Sequence, residues 1–96
     1  MYTIYVVFKC FPGKREAFIK KVNEEIVSDI RNENGCIKYD YYLSEKDENE
    51  ILLVESCESL KHKQIHMEQP HMAKYLGFKD EYIESAAFGE FEIKNN

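Results

Sequence analysis

Proline and glycine are scarce, two and four in 96 residues, so the chain is neither collagen-like nor a low-complexity linker. Cysteine is limited to Cys10, Cys36 and Cys57, an odd number without CxxC spacing. That excludes a complete disulfide framework and a zinc knuckle, and leaves free thiols. No apolar run approaches the roughly 20 residues that a bilayer-spanning helix needs. The first residues lack the basic, apolar and small-residue pattern of a signal peptide, so the expectation is a cytoplasmic protein without a membrane partner. Positive charge is short as well: 13 Lys and Arg stand against 18 Asp and Glu, a net charge of −5, which argues against a nucleic-acid partner. A phosphate-cradling glycine loop, a serine triad and a paired-carboxylate spacing are all missing, and kinase, hydrolase and glycosidase chemistry have no residues to stand on.

What is present suffices for a core. Hydrophobic residues make up 44% and aromatics 14%, enough apolar area to offset ordering entropy in a single domain over residues 1–96. Tyr2 to Phe11 is dense in β-branched and aromatic residues and stops at Pro12-Gly13, which reads as a strand and a turn. Both of its faces are apolar: Tyr2, Ile4, Val6 and Phe8 on one, Tyr5, Val7 and Phe11 on the other. From Lys14 to Arg31, Phe18, Ile19, Val22, Ile26 and Ile30 recur at helical spacing, and Asn34-Gly35 closes that helix. Ile37, Tyr39, Tyr41 and Leu43 alternate with polar residues as a second strand. Ser44 to Glu50 is a charged turn, and Ile51 to Cys57 a third strand. Ser59 caps a helix from Leu60 to about Gln69, Pro70 interrupts it, and His71 to Gly77 adds another helical segment. Lys79 to Ile83 is ambiguous, and Ala86 to Ile93 alternates as a last strand.

The order β-α-β-β-α-β is the α+β, ferredoxin-like split arrangement, with both helices on one face of four antiparallel strands. Nothing remains to cover the other face, so the two-sided first strand predicts a homodimer formed through the sheet.

The most informative stretch runs from Glu55-Ser56-Cys57 to His66-Met67-Glu68-Gln69-Pro70-His71-Met72. Together with Pro12-Gly13-Lys14 after the first strand, Asn34-Gly35-Cys36 before the second, and above all the His-x-x-x-Pro-His pattern from His66 to His71, it resembles the antibiotic biosynthesis monooxygenase family of small dimeric α/β-barrel proteins. The resemblance spans nearly the whole chain. It implies an apolar pocket between helices and sheet, suited to a small aromatic or quinone-like molecule, and oxygenation with no metal or flavin cofactor. Some members of the wider family degrade haem, using an Asn on the first strand and a Trp ending the third. Those positions fall here at about Val6 and at Cys57, which disfavours that activity.

A cofactor-free oxygenase needs a substrate that can itself reduce oxygen, so the protein must deprotonate a phenol or hydroquinone and keep the anion from water. An imidazole suits the task. His66 and His71 are the candidate bases, with Glu55 as their orienter, and Val6, Phe8, Cys57, Met67 and Met72 are candidates to line the pocket. The competing reading is that the two histidines only pin the helix break. His62 and His66, four apart, can be drawn as a metal pair with His71 or Cys57 as a third ligand, but the helix lacks a zinc-protease glutamate, and the expectation is no metal site. On the same scaffold stand two other functions: an isomerase on a small hydroxylated or phosphorylated carbonyl compound, and a non-enzymatic small-molecule-binding module.

Overall fold

A computed structural model describes residues 1–94; Asn95 and Asn96, included in the single domain expected from the sequence, lie outside the described residues. Four strands, β1 (Tyr2–Cys10), β2 (Cys36–Leu43), β3 (Glu50–Cys57) and β4 (Ile83–Glu92), form one sheet in the order β2-β3-β1-β4. Every pairing is antiparallel. Helices α1 (Arg15–Glu25) and α2 (Val27–Arg31) fill the first crossover, and α3 (Leu60–Met67) and α4 (Pro70–Phe78) the second, followed by a 3₁₀ turn at Lys79–Glu81. This is the ferredoxin-like α+β arrangement, with each helix position divided in two.

The first division was not foreseen. The stripe Phe18, Val22, Ile26, Ile30 advances by four residues a step, and at 3.6 residues per turn it drifts about 40° each time. Ile26, with φ −133°, breaks the cylinder and re-aims the next turn, so that Val27 and Ile30 are buried along with Phe18 and Val22. The backbone ladder continues through the kink, Ile26 N–H to Val22 O and Ile30 N–H to Ile26 O, both at 3.0 Å. The second division follows from Pro70, which sits at the first position of α4 where its missing N–H costs nothing. β4 begins three residues earlier than the alternation suggested, at Ile83, whose side chain joins the core.

The core lies between the helices and the inner sheet face. Phe18 is its hub, fully buried, with the rings of Phe8, Tyr41, Tyr75 and Tyr82 around it at centroid distances of 5.8 to 6.4 Å. Ile4, Phe8 and Cys10 of β1 face inward with Ile51 and Leu53 of β3. The register puts Tyr5 and Val7 on the opposite face beside Leu52, Val54, Ala87 and Gly89. Among the described residues no helix covers this face, where Tyr5 is 44% and Phe91 47% exposed. Edge strand β2 adds Tyr42 to this apolar surface.

At the other end of β2, Gly35 has φ +86°, and a methyl there would collide with the His62 ring. Left-handed backbone costs a residue with a Cβ about 1–2 kcal/mol. Gly35→Ala is therefore expected to destabilise the fold by at least about that amount, read as a lowered urea midpoint with unchanged slope; an unchanged midpoint would contradict the packing described.

Candidate active site

Two helix ends and one loop meet beside Gly35. Glu33 follows α2, His66 lies in the last turn of α3, and His71 in the first turn of α4. An acidic residue just past a helix C-terminus is on the unfavourable end of the dipole, so its position asks for partners. It has them. His66 Nδ1–H donates to Glu33 Oε1 at 2.7 Å and lies 2.9 Å from Oε2, and His71 Nε2–H donates to the same Oε2. All three side chains are nearly nine-tenths buried. One carboxylate thus bridges both imidazoles of the His-x-x-x-Pro-His pattern.

Donation from Nδ1 fixes the neutral His66 ring with its lone pair on Nε2. That nitrogen is buried and has no hydrogen-bond partner among the described residues. Buried polar atoms are nearly always satisfied, and one that is not asks for a functional explanation.

His66 and Glu33 stand in the wall of a recess between α3 and the inner face of β1, β2 and β3, lined also by Tyr2, Ile4, Ile30, Cys36, Tyr39, Glu55, Cys57 and His62. The recess is open to solvent on one side and its cavity volume is about 20 Å³, room for a single water. Its exposed surface is mainly apolar, with Glu33, Glu55, Lys63 and His66 set among the apolar side chains of the lining. Burial pushes the Glu55 carboxyl up, with Glu33 reinforcing the shift and His66 and Lys63 opposing it. Burial likewise raises the thiols of Cys36 and Cys57, and the Cys57 S–H donates to Ser59 O at 3.2 Å, so neither is an activated nucleophile.

Of the residues singled out from sequence, the structure brings His66, Glu55 and Cys57 to this recess, and holds His71 behind its wall through Glu33. It does not bring Val6, Phe8, Met67 or Met72 there. Phe8 and Met72 are core, Val6 packs against the core, and Met67, one residue past inward-facing His66, points to solvent at 47% exposure. Both imidazoles donate their orienting hydrogen bond to Glu33, not to Glu55. Nor do His62, Cys57 and the other histidines converge: His62 turns to the capping Ser59, whose hydroxyl lies 2.8 Å from its Nδ1. The sequence reading ends the helix stripe at Arg31 and closes it at Asn34-Gly35 without singling out Glu33; its place on the wrong end of the dipole is the available signal.

Residues 1–77 match the antibiotic biosynthesis monooxygenase family. No curated protein is significantly similar in sequence. Among solved structures, Rv0793 from Mycobacterium tuberculosis shares 24% identity, 99% of this chain and 96% of its own, with a TM-score of 0.85. SO0527 from Shewanella oneidensis shares 24%, 94% and 87%, at 0.83. A structure named antibiotic biosynthesis monooxygenase shares 16%, 99% and 100%, at 0.83. At these identities the likeness is one of fold.

The raised Glu55 carboxyl makes a pH prediction. The folded state holds this proton more tightly than the unfolded chain, so stability falls as pH rises from the ordinary glutamate value, about 4.3, through the raised one. Glu55→Gln removes the loss. The variant is expected to melt with wild type near pH 4 and above it at pH 7; a melting difference constant across that range would contradict the shift.

Proposed function

The chain belongs to the antibiotic biosynthesis monooxygenase family, and on that premise we propose that it is a cofactor-independent monooxygenase of a phenolic or quinol-type small molecule. The observation that carries this reading is the His66 ring, which belongs to a residue of the recess wall: Nδ1 is tied to Glu33, and Nε2 is buried with no partner among the described residues. A base must present a lone pair to its substrate, and a carboxylate behind the imidazole both orients it and stabilises the cation that forms.

A substrate hydroxyl in the recess gives its proton to His66 Nε2. The positive charge that develops on the ring is balanced by Glu33 and shared, through that carboxylate, with His71. The substrate anion, screened from water, then reduces dioxygen. For a hydroquinone that becomes a hydroxyquinone, the substrate supplies all four electrons; one oxygen atom enters the ring and the other leaves as water. No external reductant is required. Glu55, whose carboxyl keeps its proton to higher pH than usual, returns a proton to the departing oxygen. The cavity has room for a single water, so a flat ring enters by displacing side chains that line it and is then enclosed by them.

The same reading takes residues 1–96 as one domain, working as a cytoplasmic homodimer. Support for the dimer is the uncovered apolar sheet face around Tyr5, Leu52 and Phe91, a surface larger than scattered exposed side chains. Sedimentation should give twice 11.4 kDa, and Leu52→Lys should shift it towards monomer; a wild-type monomer at micromolar concentration would contradict the dimer.

The chemistry is tested by oxygen uptake against a panel of quinols. Turnover is expected, and His66→Gln should lower it by about 10²- to 10⁴-fold, the usual contribution of a general base. If the histidines only pin the helix break, the same change lowers the melting temperature and leaves the folded fraction as active as before, which would contradict the catalytic role.

A further inference from the structure

We propose that Glu33, His66 and His71 form a binding site for a divalent cation of the zinc class, and that the cation, when bound, silences His66 as a base. The first half stands on geometry alone; the second rests on the function proposed above.

The donors are of the right kind. Two imidazole nitrogens and one carboxylate oxygen are the ligand set of three-ligand zinc centres, which keep a further position open for water. They are also close enough. One ligand atom from each residue lies within 4.8 Å of the other two, whereas tetrahedral ligands about 2.1 Å from an ion stand about 3.4 Å apart. Glu33 Oε1 and His66 Nδ1, 2.7 Å apart, need only separate slightly, which a small rotation of the carboxylate provides. The third requirement is rigidity. The three side chains come from the end of α2, the last turn of α3 and the proline-started first turn of α4, and each is held by burial.

Charge favours an ion there as well. Among the described residues no Lys or Arg pairs with Glu33, whose carboxylate meets only the two imidazoles. A divalent ion at this point would be the largest local charge, set directly against that carboxylate. The site is reachable, since Glu33 and His66 stand in the wall of the open recess.

Binding has a definite consequence for the proton on His66. The metal takes a lone pair on Nδ1 of His66 and on Nε2 of His71, so the hydrogen now on each moves to the other nitrogen of its own ring, Nε2 in His66 and Nδ1 in His71. The nitrogen that was an acceptor becomes an N–H donor, and a substrate hydroxyl loses its base. No net proton or electron is exchanged.

The test uses chelator-treated full-length chain. Calorimetric titration with zinc chloride should give one ion per chain with a micromolar or tighter constant, and cobalt should bring the visible absorption of a low-coordinate centre. Binding should weaken by about tenfold or more in Glu33→Gln and in His71→Gln and persist in His62→Gln. Nitrogen-15 spectra of the wild type should show zinc perturbing His66 and His71 and moving the His66 hydrogen to Nε2, a readout that stands even where a variant fails to fold. No saturable binding, binding unaltered in folded Glu33→Gln and His71→Gln, or perturbation of His62 in place of His66 and His71 would each overturn the site. Zinc that binds as described but leaves quinol turnover intact would overturn the silencing alone. A chain that binds zinc yet turns over no quinol would keep the site and contradict only the function on which silencing rests.

Discussion

The carboxylate of Glu33 is the constraint around which the rest of the site is arranged. It receives hydrogen bonds from two imidazoles on two different helices, and so fixes where α3 ends and α4 begins relative to α2. Gly35, two residues on, turns the chain into β2 with a positive φ and clears room for the His62 ring. A larger residue at Gly35 or an amide at Glu33 would disturb the same junction from two sides. Sequence places these groups 33 and 38 residues from Glu33; only the split crossover brings them together.

The sheet imposes the second constraint. All four helices lie on one side, and the aromatic cluster around Phe18 fills the space beneath them. The recess is what remains at one end of that layer, where α3 spans the sheet more loosely and buries only His66 of its own residues. A sparse helix over a dense sheet leaves a gap, with Glu55 and His66 in its wall; burial holds the Glu55 carboxyl up, and His66 Nε2 is buried without a partner among the described residues. That is how a chain this small can carry both a core and a site.

Much of this was legible from residues alone. The alternation from Tyr39 to Leu43, the apolar first strand, the Asn34-Gly35 helix stop and the Pro70 break each encode a local backbone choice, and each is present; Ile37 departs from the alternation, because a register shift between Cys36 and Lys38 turns it out, 53% exposed. The kink at Ile26 was not legible, because no proline or glycine marks it; it arises from the drift of a four-residue stripe against a flat sheet. The histidine motif was legible as a site, but its partner was not. Glu55 was favoured from its strand end, whereas the decisive hydrogen bonds belong to Glu33, remote in sequence. The methionines beside the histidines misled for a simple reason: neighbours on a helix point about 100° apart, so residues flanking an inward histidine go to the core or to solvent.

The account's central claim is that Glu33 holds His66 as the tautomer with its hydrogen on Nδ1 and its lone pair on Nε2. The most direct measurement is the nitrogen-15 spectrum of the histidine rings in metal-free protein at pH above the imidazole range. The account predicts a pyrrole-type Nδ1 and a pyridine-type Nε2 for His66, lost in Glu33→Gln. A His66 with its hydrogen on Nε2, or one whose tautomer is indifferent to Glu33, would contradict it.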